Sequence, residues 1–587
     1  MRELDLLHTA LEGSNLIEAS AGTGKTYAIT GLVLRLILET GVLIQQILVV
    51  TFTEAATSEL KDRIRTRIRE AVDALSGART EDPFLQGLLQ RHPEPPSRQS
   101  ALRKLHCALT DFDQAAIFTI HGFCLRTLQD HAFASGMLFD AELVTEQDSL
   151  VRDIVRDFWR SHFYAASPLF YAHARSSGLS PDSLLKLVGK NLFNPHLKII
   201  PRGTLTDCTA LEERFMESFD KVSRSWASSR DAVETTLMES AALNRNKYRQ
   251  ASIPGWVREM DLEFQGECLS SSLCRSFEKF TRGVIEQSIR KGHEPPSHGF
   301  FDLAQELLEA AEALRTAYDE RTLGLKVAFI EHLRKQLEAR KAAKNIFFFD
   351  DLLVRLERAL SEPGGERLAG VVRDRFKAAL IDEFQDTDSI QYSIFQKIFG
   401  DGSAPLFLIG DPKQAIYGFR GADIFSYMEA SRRTSRRFTL SENWRSEPRL
   451  ISAVNAVFHR EHPPPFVYGE IGFKPARPAK AKKHELLRVD GREEAPFRLW
   501  LLKASQVSAG NRVCKGKARP LIVGAVAAEI SNLVTLGREE RALIGDRPVR
   551  EGDIAVLVRA TTETAEVRRA LSVLGIHGVL YTTEDLF

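Results

Sequence analysis

Ala19, Ser20, Ala21, Gly22, Thr23, Gly24, Lys25 and Thr26 form the run ASAGTGKT. A short apolar stretch, Asn15 to Glu18, leads into this turn, and an apolar-periodic helix is predicted from Lys25 to about Leu38. A Gly-rich turn between a strand and a helix aims backbone N–H groups at an anion, and the helix N-terminus adds to the positive field. The chemistry is triphosphate binding, with Lys25 neutralising the β- and γ-phosphates and the Thr26 hydroxyl on Mg²⁺. Position one is Ala19 where Gly is commoner. Far along the chain, Asp382 and Glu383 directly follow AALI, Ala378 to Ile381. An acidic pair at a strand end is by itself most often solvated surface. Beside a phosphate loop it gains work: Asp382 to hold the metal and Glu383 to polarise an attacking water.

Two further clusters gather groups that recognise phosphate and bases. Ile409 to Asp423 (IGDPKQAIYGFRGAD) follows a second apolar run and joins the amide of Gln414 to Tyr417, Phe419 and Arg420. An amide sensing the γ-phosphate beside rings able to stack on bases would couple nucleotide state to a nucleic-acid strand. Leu440 to Ser446 (LSENWRS) adds Arg445, suited to reach across a cleft as an arginine finger.

The elements that must position these residues alternate in type. Ile47 to Thr51 (ILVVT) reads as a buried parallel strand, Ala55 to Leu75 as a long charged helix, and Ala116 to Ile120 as another short strand. Strand-like runs return at Ala378 to Ile381 and Leu406 to Ile409, each ending in polar residues. The class is therefore α/β, with a parallel sheet whose C-terminal edge carries the ligand. Residues 80 to 100 are Pro-bearing and polar and read as a surface loop; from about Leu143 to Arg340 the periodicity is helical, with a loop at 290 to 298. A third region from Thr439 holds the basic, Pro-rich stretch Lys474 to Lys483, in which Arg477 to Lys483 is read as a solvated loop before a phosphate contact, and strand-like runs at Phe497 to Leu502 and Ile554 to Val558.

Length and composition set the frame. A chain of 587 residues is long enough for about three to five structural units. Lys+Arg 79 against Asp+Glu 78 leaves a formal charge of +1, so a nucleic-acid site must be a local patch and not a global field. The six cysteines show no C-x-x-C pair and no zinc spacing, and the N-terminus has no signal-peptide pattern. With no uninterrupted apolar run of 18 residues in the sequence, a cytoplasmic protein without a membrane span is expected.

Taken in order, ASAGTGKT, VVTFTEAATSELKDRI, FTIHGFC, LIDEFQDTD, LIGDPKQAIYGFRGAD and LSENWRS resemble motifs I, Ia, Ib, II, III and IV of superfamily 1A helicases, the UvrD/Rep/PcrA group, with FFFDDLL (347 to 353) as an additional family segment. The wording of these segments, and ASGMLF at Ala134 to Phe139, is closer to the RecB family of exodeoxyribonuclease V. That resemblance implies RecA-like parallel-sheet lobes and a large helical insertion: residues 1 to 142 and 341 to 438 as lobe 1A, 143 to 340 as insertion 1B, and 439 to 587 as a partial lobe 2A. It implies an ATP-dependent 3′ to 5′ DNA helicase of recombinational double-strand break repair, using ATP and Mg²⁺. DNA, as single strand and duplex junction, would be the substrate, with RecC-like and RecD-like subunits as partners.

By position the family implies that Lys25, Thr26, Asp382, Glu383, Gln414 and Arg445 surround ATP and Mg²⁺, and that Trp444 stacks on adenine. Thr51, Phe52, Thr53, His121, Tyr417, Phe419 and Arg420 are implied to contact DNA. The bland readings are core packing for Phe52 and Phe419, a helix cap for His121 and an interdomain seam for Trp444. Two departures stand out. No Gln precedes the phosphate loop within residues 1 to 18 to read adenine, and no segment resembles motifs V and VI or the family's nuclease domain. The expectation is an N-terminal part of a longer protein, with an incomplete second lobe and weak or absent hydrolysis by itself. The competing readings are a stand-alone UvrD-like repair helicase and a catalytically incomplete ATP-responsive DNA-binding fragment. A small-molecule kinase lacks an acceptor site.

Overall fold

Uninterrupted β-branched and aliphatic runs can be strands only where both sheet faces are covered. In the computed structural model, β1 (Arg2–Glu3), β2 (Ser14–Ala19), β3 (Ile47–Thr51), β4 (Ile117–Thr119), β5 (Ala378–Ile381), β6 (Leu406–Gly410) and β7 (Arg436–Leu440) form one sheet in the order β1-β7-β2-β6-β5-β3-β4. Every pairing in it is parallel. β3, β5 and β6 are buried along their whole length. The residues described are 1–587 except 132–141, 145–146, 189–197, 204, 266–267, 269, 461, 480–484, 510–511 and 581–587, and without the side chains of 142, 420, 508 and 509. The ASGMLF segment, much of the basic stretch and the side chain of Arg420 thus lie outside the described residues.

The register decides where chemistry can occur. Ile17 pairs with Ile409 and Leu380 with Phe407, so the loops after β2, β6 and β5 leave from one edge. β2 and β5 are separated by β6 alone, which sets them about 10 Å apart at the usual strand spacing. A lysine and a glutamate side chain reaching towards each other can cover that gap. Helix α1 (Lys25–Arg35) continues the phosphate loop and is extended by a π-helical turn, Leu36–Thr40. Helix α2 (Glu54–Leu75) starts at Thr53, whose hydroxyl accepts the N–H of Ala56 at 3.1 Å. Helix α3 (Ile120–Asp130) follows β4.

Two compact units result: Met1–Phe123 with Pro363–Phe587, and Cys124–Glu362. The second is helical, as its periodicity predicts. Helices α4 (Asp148–Phe163), α5 (Thr209–Glu239) and the 46-residue α6 (Gly299–Lys344) bury Phe158, Phe215, Trp226, Phe300, Tyr318 and Phe329 in one core. In FFFDDLL, Asp351 caps α7 (Phe349–Ser361) by accepting the N–H of Phe348 at 2.9 Å, and it also pairs with Lys341 at 2.6 Å. This acid does structural work.

Several sequence expectations need correction. Residues 80 to 100 are not a loop but include helices Pro83–Arg91 and Pro95–Thr110. Each begins with proline at its first turn, where the missing N–H costs nothing; Asp82 caps the first, and Phe84, Leu85 and Leu88 bury its apolar face. The runs 497–502 and 554–558 form no strand. A strand needs a neighbour's ladder, and these segments have none among the described residues; Leu501 and Leu557 stay 92% and 98% exposed. Beyond the main sheet this region holds a short parallel pair, Glu442–Asn443 with Arg477–Pro478, and a small antiparallel sheet of Leu487–Val489, Arg492–Glu493, Ala542–Ile544 and Arg547–Pro548. Helix α8 (Lys515–Arg538) is long and apolar enough by composition to cross a membrane, despite Arg519, Pro520 and Glu529 within it. Its Ala527, Ile530 and Val534 pack on Val567 and Leu571 of α9 (Thr561–Val573).

The fold makes one direct stability prediction. Leu380 is fully buried on the interior strand β5, so Leu380→Ala should cost about 2–5 kcal/mol through lost burial and a residual cavity. A urea titration followed by circular dichroism should show the lowered midpoint.

Candidate nucleotide and nucleic-acid site

The phosphate loop is shaped by two glycines in left-handed backbone, Gly22 at φ 78° and Gly24 at φ 92°, a region closed to most side chains. Thr23 is buried and donates its hydroxyl to the Ser20 carbonyl at 2.7 Å, tightening the turn. Lys25 begins α1, and its Nζ meets Glu383 Oε2 at 2.5 Å across 358 positions of sequence. Glu383 has φ 50°, a conformation that costs a non-glycine residue energy and is found where geometry is imposed from outside. The predicted meeting of the two distant motifs is thus made in space.

Asp382 lies beside this pair. Its N–H is tied to the Val50 carbonyl at 2.8 Å, while its buried Oδ1 has no hydrogen-bond partner. Burial first, and the charge of Glu383 second, push its carboxyl up to about 6 against an opposing pull from Lys25. A buried carboxylate oxygen with no partner is what a cation would satisfy. Together with Thr26 on the first turn of α1, it fits a hard oxygen-seeking ion such as Mg²⁺.

The LSENWRS turn closes onto the loop. Asn443 Nδ2 donates to the Ala21 carbonyl at 2.9 Å, and the Trp444 N–H to the Gly22 carbonyl at 2.8 Å. Arg445 is exposed, with its Cβ so near Gly22 that a side-chain carbon there would come within 2.6 Å. Trp444 is 45% exposed. Gln414 is engaged, its Nε2 donating to Asp411 Oδ2 at 2.7 Å.

Of the residues implied for DNA, Phe52 and Tyr417 stack with ring centroids 6.4 Å apart and planes 15° from parallel, and Phe419 lies 5.9 Å from Tyr417. Phe419 is 75% exposed and is no core residue. Thr53 is exposed at the start of α2, and His121 is half-buried on the first turn of α3. Thr51, by contrast, is fully buried with an unpartnered Oγ1, away from the surface its neighbours reach.

Sequence reasoning passed over Glu18, Gln385, Lys413 and Asn443. Lys413 Nζ pairs with Glu18 Oε1 and Asp411 Oδ1, both at 2.6 Å. Burial works against the ammonium, but these two carboxylates prevail and hold it above the usual lysine range. The signal was available: a charged residue at the end of a buried apolar strand, as Glu18 is, requires a partner.

A parallel sheet that carries a phosphate loop after one strand and an acidic pair after another, two places away, defines a P-loop nucleoside triphosphatase core. Residues 3–435 match the UvrD/REP helicase N-terminal domain, and the chain belongs to that helicase family. Its curated relatives include RecBCD enzyme subunit RecB of Escherichia coli (strain K12), 36% identical over 99% of this chain and 49% of the relative. RecB of Haemophilus influenzae is 32% identical over 97% of this chain and 49% of its own length, and RecB of Mycobacterium tuberculosis 28% over 98% and 40%. The chain spans about half the length of the curated relatives it matches.

The state of Asp382 gives a pH prediction. Its carboxyl, pushed up to about 6, lies above the ordinary aspartate value of 3.8, so the charged form is penalised in the fold. That penalty is present above pH 6 and fades as pH falls towards 4. In metal-free protein Asp382→Asn should therefore be more stable than wild type by up to about 3 kcal/mol at pH 8, and this difference should shrink as pH falls towards 4. Thermal melts of both proteins from pH 4.5 to 8 check this.

Proposed function

We propose that this chain is the ATP-driven motor portion of a RecB-type superfamily 1A helicase, translocating 3′ to 5′ on DNA in recombinational double-strand break repair. The observation that carries the reading is the contact of Lys25 with Glu383, and the clustering of Phe52, Tyr417 and Phe419 supports its nucleic-acid half. In this reading ATP sits on residues 19–26, Lys25 leaves Glu383 for the β- and γ-phosphates, and Glu383 polarises the attacking water. Thr26 and Asp382 would hold Mg²⁺, which supplies charge neutralisation at the phosphates. Gln414 and Arg445 would sense and stabilise the γ-phosphate, and Trp444 would cover the adenine.

Bases of single-stranded DNA would stack on Tyr417 and Phe419, with Phe52, Thr53, His121 and Arg420 along the same path. Stacking is sequence-tolerant, which suits a motor that moves on arbitrary DNA. We assign residues 1–142 and 341–438 to the first lobe, 143–340 to its insertion and 439–587 to part of a second lobe. The relatives' printed name, a subunit of the RecBCD enzyme, supports assembly with RecC-like and RecD-like subunits; a cytoplasmic setting and nuclease activity outside these residues complete the proposal.

The test is ATP hydrolysis by the full-length polypeptide with and without single-stranded DNA. Stimulation by DNA is expected, and its absence refutes the motor. Lys25→Ala should lower turnover at least about a hundredfold, the scale of losing one charged transition-state contact, with the melting temperature little changed. Phe419→Ala should weaken single-strand binding by about 1–3 kcal/mol, read as a higher DNA concentration for half-maximal stimulation at unchanged affinity for ATP.

A further inference from the structure

Gln385 is 2% exposed and is used by none of the assignments above. Its Oε1 accepts the backbone N–H of Asp411 at 2.9 Å. Only the oxygen of a carboxamide can face a donor, so this bond fixes which way the group is turned. Nε2 is thereby directed to Glu383 Oε2 at 2.7 Å and Asp386 Oδ2 at 3.2 Å. A second observation is independent of hydrogen bonding. A side-chain carbon at Gly410 would stand 2.5 Å from Gln385 Oε1 and 3.1 Å from the backbone nitrogens of Phe384 and Gln385. Glycine there is what lets the ends of β5 and β6 approach closely enough for one side chain to span them.

What lies on each side of this bridge matters. On one side, Glu383 Oε2 is shared by Gln385 and Lys25. On the other, Asp411 holds Lys413 and Gln414, and the chain runs directly on to Tyr417 and Phe419. Lys25 is a long, charged side chain that a bound phosphate would draw away. Gln385 would then be the donor left on Glu383, and as a neutral amide it can aim the carboxylate without cancelling the charge a base requires.

We propose that Gln385 is a positioning residue that ties the aim of Glu383 to the 411–419 segment, so that occupation of the Tyr417 and Phe419 rings by a nucleic-acid strand is felt at the water-polarising carboxylate. This rests on the helicase reading and adds to it the side chain that carries the coupling.

The experiment compares wild-type full-length polypeptide with Gln385→Met, of similar size but without donor or acceptor, and Gln385→Glu, which keeps an acceptor for the Asp411 N–H but sets a third carboxyl against Glu383 and Asp386. KM for ATP, kcat with and without an oligothymidylate strand, and the melting temperature are measured for each. Both variants should stay folded with a lowered melting temperature, since a buried bond is lost, and keep KM for ATP within threefold, while the ratio of DNA-stimulated to unstimulated kcat falls at least tenfold. A ratio within twofold of wild type in Gln385→Met overturns the proposal. So does a loss in which KM, kcat and melting temperature all deteriorate together, since that marks a structural role alone. Absence of DNA stimulation in the wild type is a separate arm and overturns the helicase reading itself, and the coupling with it.

Discussion

One ion pair organises the sheet unit. Lys25 and Glu383 follow strands that are neither adjacent in sequence nor paired in the sheet, Lys25 at the start of α1 beyond β2 and Glu383 just past β5, yet their side chains meet at 2.5 Å. The distance is possible because β6 alone separates β2 from β5 and because all three strands end on one edge. Reversing either parallel pairing would send one loop to the far edge, and shifting the register by a residue would turn the paired side chains to the opposite face. The connectivity of the sheet is thus constrained by chemistry at its rim as much as by the aliphatic core beneath.

Around that pair the polar groups form a nearly closed circuit. Glu18 at the end of β2 holds Lys413, Lys413 holds Asp411, the Asp411 N–H holds Gln385, Gln385 holds Glu383, and Glu383 returns to Lys25 six residues past Ala19. In a site of reduced dielectric each such bond is stronger than in water, and each unmade one is more costly, so a fully connected set tolerates few alternative arrangements. Buried charges of this kind are a poor source of net stability, because desolvation offsets their attraction. Their effect is to specify one geometry, and the strained backbone of Glu383 is held within it.

Much of this was legible in the residues. Continuous runs such as ILVVT and LFLIG announce buried parallel strands, and ASAGTGKT announces its turn, because in both cases the local sequence carries the whole physical requirement. The ordered motifs brought the distant acids to the loop. What failed was of another kind. The region 80–100 was misread because Pro83 and Pro95 look like breakers when they are helix starters, and only the burial of Phe84 and Leu88 distinguishes the two. Residues 497–502 and 554–558 have the composition of strands, but composition cannot supply the neighbour that a ladder requires. Gln385 and Asn443 were overlooked because an amide gives no signal until its partners, contributed by other strands, are in place.

The turn that carries Arg445 also grips the phosphate loop, through Asn443 on Ala21 and the Trp444 N–H on Gly22. Both contacts are to main-chain oxygens, so they do not depend on which side chains the loop carries, save for the bare Gly22 that lets the turn come so near. The loop and the turn therefore behave mechanically as a latch and its keeper: neither can slacken while the other stays taut.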